Sequence, residues 1–225
     1  NIPERSLFIP AKDIILPVAD NDHWLNVSVL SVVDVAEGIK SYEFGPCQPG
    51  DTLPAFTPGA HIDVRIADKT IRQYSLCNLS SEADRYKIAV KCEVDGRGGS
   101  LQMHQEVLAG QTLKISKPRN NFPLSLDAEE YVLIAGGIGI TPILSMACEL
   151  HRLGKKFTLN ISARSEQTLA FASSLSQLPF SNQITYFFDS KSSANRFDPK
   201  SVTGSWAEGK VLYMCGPGGF MSSIV

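Results

Sequence analysis

"YVLIAGGIGITPILSMACELHRLG", Tyr131–Gly154, holds three different rhythms in sequence. The run "YVLIA" is unbroken apolar, the pattern of a parallel strand buried on both faces. "GGIGITP" follows with the residues of a tight turn. "ILSMACELHRL" then carries its apolar residues at helical spacing. Thr141 is placed to cap that helix, Pro142 suits its first position, and Gly154 suits its end. Strand, glycine turn and helix in that order mark one unit of an α/β sheet.

Reading toward the C-terminus, the alternation continues. "KKFTLNISAR" predicts a strand, "EQTLAFASSLSQL" a helix, "QITYFFDS" a strand and "KVLYMC" a further strand. Alternating strands and helices predict a parallel sheet covered on both faces. The chain closes on "CGPGGFMSSIV", a second glycine turn opening a helix that stops unfinished at Val225.

Reading toward the N-terminus, the rhythm changes at "PRNNFPLSLDAEE". Before it, "WLNVSVLSVVDV", "HIDVRIADKTIRQYSL", "RYKIAVKCEV" and "QTLKIS" alternate with period two, separated by "GPCQPGD", "TPGAH" and "DGRGGS". Short strands at that spacing predict an antiparallel β-barrel. Only "SLQMHQEVLAG" reads as helix there, with Gly110 as its stop. We therefore expect a lead-in or linker over 1–23, carrying Pro3, Pro10 and Pro17, a barrel domain over 24–125, and an α/β nucleotide-binding domain over 126–225. Asn120 and Asn121 read as surface turn residues.

The totals exclude several classes of function. At 225 residues the chain has room for two cores. Its net charge of −2 and lack of a basic run leave out the electrostatic footprint of nucleic-acid binding. No apolar run approaches the roughly 18 residues of a membrane helix, and the first residues lack the form of a secretion signal. The five cysteines are separated by 30, 15, 56 and 67 positions, spacings that fit neither a zinc site nor a plant-type iron–sulfur centre. Free thiols in a reducing cytoplasm are expected, and no metal site.

Four short stretches have the chemistry of ligand contact. In "IAGGIGITP", glycines at a strand-to-helix turn let backbone approach a phosphate. Gly137 and Gly139 fit G-x-G-x-x-G, but Pro142 stands in place of the third glycine, so a plain structural turn stays open. "MCGPGGF" is a second such turn at a strand end, where open α/β sheets bind ligands. Cys215 there is either a core thiol or the lip of a crevice. "IRQYSL" sets Arg72 and Tyr74 on one strand face, and "DGRGGS" is either a hairpin turn or a nest of amides around a phosphate. Arg72 and Arg97 supply guanidiniums suited to a phosphate.

"PGAHIDV", "RQYSLCN", "IAVK…DGRGGS", "PRNNFPL", "IAGGIGITPILSM" and "CGPGGFM", taken in order, resemble the ferredoxin–NADP reductase superfamily. The resemblance is closest to its phthalate dioxygenase reductase family, which includes vanillate demethylase reductases. It implies a flavin-binding barrel followed by a nicotinamide-nucleotide domain. On the matching motifs, Arg72, Gln73, Tyr74, Ser75, Val90, Lys91, Arg97, Gly98, Gly99 and Ser100 would contact the flavin. Arg72 would reach its phosphate, Tyr74 its ring and Ser75 its N5. Gly136, Gly137, Gly139, Thr141, Pro142, Arg164, Ser165, Cys215, Gly216 and Pro217 would line the nucleotide, with Ser75 and Cys215 at the reacting atoms.

The implied reaction passes a hydride from nicotinamide C4 to flavin N5, then single electrons to an iron–sulfur acceptor. The phosphate turn favours FMN over FAD, and "ARS" favours NADH over NADPH. The implied partners are an oxygenase component and a ferredoxin domain. No ferredoxin domain follows Val225, so the chain is expected to be a fragment of a longer reductase whose iron–sulfur cluster lies elsewhere. Two alternatives stand beside this: an FAD-dependent relative with a haem, quinone or oxygen acceptor, and a non-catalytic nucleotide-binding module.

Overall fold

The structure, a computed structural model, describes residues 23–67, 70–82, 84–190, 196–203 and 208–224. Of the expected lead-in only His23 falls among them. The first half runs β1 (Trp24–Ala36), β2 (Ile39–Pro46), β3 (His61–Ala67), β4 (Thr70–Ser75), β5 (Tyr86–Lys91), α1 (Gly99–Glu106) and β6 (Thr112–Ser116). The strands form one antiparallel sheet in the order β4-β3-β6-β1-β2-β5.

Period-two alternation sends Val27, Val29, Ile62, Val64, Ile88, Val90 and Ile115 into one core, while their neighbours face outward. The two ends of the sheet meet beyond β4. There the Cys77 N–H donates to the Lys87 carbonyl and the Lys87 N–H to Asn78 Oδ1, both at 2.9 Å. The sheet is thereby drawn round into the expected barrel. Helix α1 plugs it with Met103, whose carbonyl accepts the Tyr42 hydroxyl at 2.9 Å.

Two readings of this half change. "IKSYEFGP" is strand β2, paired with both β1 and β5; it is not among the expected strands, and its Gly45 and Pro46 were expected in the turn "GPCQPGD". Helix α1 ends at Glu106, not at Gly110. Gly110, at φ +88°, turns the chain so that its N–H donates to the Val29 carbonyl.

The second half runs β7 (Glu130–Gly136), α2 (Ile140–Arg152), β8 (Lys156–Ala163), α3 (Ala172–Leu175), β9 (Ile184–Phe188), α4 (Pro199–Thr203), β10 (Lys210–Cys215) and α5 (Gly218–Ser222). Its sheet is parallel, in the order β10-β7-β8-β9. One face packs Tyr131, Leu133, Leu159 and Ile161 against Ile143, Met146 and Leu150 of α2. On the other, Val132, Ile134, Leu212 and Met214 lie under Phe197, Val202, Phe220 and Ile224. β8 is polar on that second face, with Asn160 and Ser162 buried there.

Two helix starts differ from expectation. Gly137–Gly139 forms a single 3₁₀ turn that runs directly into α2, so Thr141 is already helical and is not the cap. Its hydroxyl instead donates to the Ile138 carbonyl at 3.1 Å, and Pro142 sits within the first turn, where no helical N–H partner is lost. Gly154 closes α2 as expected, at φ +65°. The helix expected over "EQTLAFASSLSQL" shrinks to Ala172–Leu175. Backbone bonds from Glu37 N–H to the Gln167 carbonyl and from Phe171 N–H to the Val35 carbonyl tie this segment to the end of β1. Those bonds take groups that a helix would have used.

α2 is where the halves meet. Its Ser145 hydroxyl donates to the Asn78 carbonyl at 3.0 Å, and Met146 reaches the Pro58–Gly59 turn. Cys77, Ile39 and Ala89 of the barrel half share its apolar cluster.

Candidate functional site

β4 lies at one end of the barrel sheet, and its residues take two sides. Arg72 and Tyr74 stand across from Val64 and Ile62 on the core side, while Gln73 and Ser75 stand outward, across from Asp63 and His61. Arg72 reaches the start of α1. Its Nη1 donates to the Ile71 carbonyl at 2.9 Å and its Nη2 to the Arg97 carbonyl at 3.1 Å. A Cβ added to Gly99 would lie 2.4 Å from Arg72 Nε and 2.9 Å from Cζ, so the guanidinium rests on a bare α-carbon. Gly98, at φ +79°, turns the chain into the helix and faces open space.

The first intrahelical donor is the Gln102 N–H, bonded to the Gly98 carbonyl, which leaves the amides of Gly99, Ser100 and Leu101 outside the ladder. The Ser100 hydroxyl accepts the Glu93 N–H at 3.0 Å and holds the loop closed. A guanidinium beside unladdered helix-start amides is the chemistry of a phosphate cradle. Arg72, Arg97, Gly98, Gly99 and Ser100 are therefore gathered in one place.

Tyr74 gives a second sign of a group to be accommodated. Its ring packs on the barrel core, and its hydroxyl is buried with no hydrogen-bond partner. Burial pushes that hydroxyl up to about 12, with Arg72 pulling the other way. A buried polar atom without a partner is rare and invites a ligand contact. Val90 lies in the barrel core, and its carbonyl is taken by His104 Nε2 at 2.8 Å. Lys91 pairs with Glu93 at 2.6 Å near the same loop.

The glycines of the two strand-end turns divide into two sorts. A Cβ on Gly136 would meet the Phe220 ring at 2.6 Å, and one on Gly216 would meet it at 2.8 Å. One on Gly139 would fall 2.2 Å from the Cys215 carbonyl oxygen. These three are glycine because the two strand-end turns press together. Gly137, at φ +52°, faces open space, as do Gly218 and Gly219. The open three are free to receive a ligand, and Gly218 and Gly219 were not among the expected contacts. Both stood in the quoted "CGPGGF", so the signal was present.

Cys215 ends β10 beside Ala135, half-buried, and burial pushes its thiol up to about 11. Pro217 leads into α5. Arg164 is exposed at the end of β8, and the Ser165 N–H is held by the Thr168 hydroxyl at 3.1 Å.

Asn120 is a structural pin rather than a surface turn residue. Its Nδ2 donates to Thr57 Oγ1 at 2.7 Å and to the Pro58 carbonyl at 3.0 Å, and its Oδ1 accepts the Phe122 N–H at 2.9 Å. It borders a cleft of about 190 Å³ between Phe56, Thr57, Ala60 and Arg119. Among the described residues no helix is long and apolar enough to cross a membrane.

A closed antiparallel barrel with an arginine laid over a glycine helix start, followed by a parallel sheet with paired glycine turns, is the ferredoxin reductase-like architecture. No protein-family model matches the chain. It is 40% identical over 199 residues to the reductase subunit of a tert-butanol monooxygenase / tert-amyl alcohol desaturase from Aquincola tertiaricarbonis, covering 88% of this chain and 59% of that one. It is 40% identical over 191 residues to a vanillate O-demethylase oxidoreductase from a Pseudomonas species, covering 85% and 60%. The solved phthalate dioxygenase reductase superposes with a TM-score of 0.85 at 36% identity, over 90% of this chain and 63% of that one. Over the part they share, the chain is similar to reductases of the phthalate dioxygenase type. It spans about 60% of the length of these relatives.

Proposed function

We propose that the chain is the flavin- and nucleotide-binding part of an oxygenase reductase, passing electrons from NADH through FMN toward an iron–sulfur centre. The barrel, 24–125, holds the flavin, and 126–225 holds the nucleotide. The observation that carries this reading is Arg72 laid over Gly99 at the start of α1, beside amides that no carbonyl of the helix claims. The cradle suits a terminal phosphate, which favours FMN. At the nucleotide end, Glu166 follows Arg164 by two residues and sets a carboxylate in the turn that a 2′-phosphate would enter, which favours NADH. The names of the relatives support an oxygenase component as partner, with an iron–sulfur domain as the intermediate acceptor.

When bound, the flavin supplies the conversion of one two-electron transfer into two single-electron ones. The protein supplies placement. Arg72 and the α1 amides fix the phosphate end, and the Tyr74 ring walls the other. Ser75 offers a hydroxyl at the outer end of β4. The Cys215 thiol stays protonated at neutral pH, so it adds no charge where the nicotinamide would lie. α2 ties Asn78, three residues beyond Ser75, to the nucleotide half through Ser145, which keeps the two sites at a set separation.

The test is a visible spectrum of the chain reconstituted with an equimolar mixture of FMN and FAD and freed of excess flavin, before and after anaerobic NADH, followed by release and identification of the flavin retained. A yellow protein that bleaches and yields FMN supports the reading. Preferential retention of FAD overturns the FMN assignment, and a chain that binds neither flavin overturns the enzyme.

A further inference from the structure

His61 opens β3 at 6% exposure, and its Nε2 is buried with no hydrogen-bond partner. The register sets it directly across from Ser75. The His61 N–H and carbonyl both bond Arg119, at 2.9 and 3.0 Å, while the Leu76 N–H donates to the Ala60 carbonyl at 2.9 Å. The His61–Ser75 pair is therefore of the non-hydrogen-bonded kind, in which opposing side chains come closest, with Cβ atoms about 4.5–5.5 Å apart. An imidazole spans that gap.

We propose that His61 is a positioning residue for Ser75: with FMN bound, its Nε2 hydrogen-bonds the Ser75 hydroxyl and sets the direction of that hydroxyl's proton. This rests on the flavin reading above. A serine hydroxyl has one proton and two acceptor sites. If Nε2 carries a hydrogen it donates to Oγ, and the Ser75 proton is left for a ring nitrogen of the cofactor. If Nε2 is bare it accepts that proton, and Oγ is left as an acceptor. A neutral imidazole adopts either tautomer, so the pair serves a ring nitrogen with or without its hydrogen.

The surroundings keep the ring neutral. Burial and then the Arg119 guanidinium push His61 below its ordinary range, and Asp63 on the same strand opposes them. Arg119 is itself bonded to Asp63 at 2.6 Å and to His23 at 2.8 Å, while β4 presents uncharged Ser75 and Gln73 on this face.

The test compares wild type, Ser75→Ala, His61→Phe, His61→Gln and the Ser75→Ala/His61→Phe double variant, each loaded with FMN. By ¹⁵N NMR, loading should move the wild-type His61 Nε2 resonance to a hydrogen-bonded position and leave it unmoved in Ser75→Ala. His61→Phe should lower the single-turnover reduction rate by about 10-fold at unchanged FMN content, the size of one hydrogen bond. In the Ser75→Ala background the same change should cost less than about 2-fold, because the bond is already gone. His61→Gln, which keeps a polar atom, should recover most of the loss. An Nε2 resonance indifferent to FMN, or additive effects of the two substitutions, overturns the proposal. If His61→Phe does not fold, the NMR comparison of wild type with Ser75→Ala decides alone. Failure of the wild type to bind FMN overturns the flavin reading as well, and is seen before any variant is made.

Discussion

Gly139→Ala probes how closely the two glycine turns approach. The added Cβ would sit 2.2 Å from the Cys215 carbonyl oxygen, 2.4 Å from its carbon and 2.7 Å from the Gly216 nitrogen. Ordinary contact is 3.4–4 Å, so something must retreat by about 1 Å. None of the three atoms can rotate away, because all are backbone, and β10 is paired with β7 as far as Cys215. The strain therefore falls on the 3₁₀ turn and on the first turn of α2, where Ile140 and Ile143 are fully buried.

Overpacking of this sort costs about 3 kcal/mol, the upper end of its usual range. The lost freedom of the unfolded chain returns about 0.4–1 kcal/mol. The net expectation is about 2–3 kcal/mol, or about 5–10 °C in Tm for a chain of this length. Urea unfolding followed by circular dichroism, with a thermal melt, measures both. Gly218→Ala is the control, since nothing lies within 4 Å of its added Cβ, and should stay within about 0.5 kcal/mol of wild type. A Gly139→Ala protein as stable as that control would refute the close approach of the turns.

Arg72→Ala should weaken FMN binding by roughly 10- to 100-fold, the worth of a charge-assisted contact, as read by fluorescence titration; unchanged affinity would remove Arg72 from the phosphate. Asn120→Ala should lower stability by about 1–2 kcal/mol through the bonds that tie Thr57 and Pro58 to Phe122, and a wild-type urea midpoint would contradict the pinning role. Alkaline stability follows from the thiols. Burial raises Cys77 to about 12 and Cys148 and Cys215 to about 11, above the ordinary 9.0. The protonated forms are favoured in the fold, so their contribution is intact below pH 9. It is lost as pH rises from 9 toward 11–12, where the unfolded chain gives up its protons first. The urea midpoint should fall from pH 8 to pH 10 in wild type and fall less in Cys77→Ala; an equal fall in both would refute the assignment to the Cys77 thiol.

Much of this architecture was legible in the order of residues. "YVLIAGGIGITP" and "KVLYMCGPGGF" read as strand and glycine turn because a run buried on two faces has no polar interruption, and because glycine has few other uses at a strand end. The barrel strands were legible by their period of two. β2 was not, since Gly45 and Pro46 imitate a loop and its identity comes from pairing with β1 and β5. The helix expected after Arg164 had adequate local propensity, but backbone bonds to β1 outcompeted it. Thr141 looked like a cap because nothing local announces that Gly137–Gly139 already turns helically.

The candidate site shows the same division. Residue type and spacing name Arg72, Tyr74, Gly98 and Gly99, because guanidinium, aromatic ring and bare backbone are chemical properties each residue carries wherever it lies. Register and approach distance belong to no single segment. That Arg72 rests on Gly99, that Phe220 lies over both Gly136 and Gly216, and that His61 stands across from Ser75 are facts about chain segments brought together from afar. Local periodicity is set by neighbours a few residues apart and survives reading one residue after another. Contact between distant segments is set by how two sheets curl and which core they share, and only the folded chain decides it.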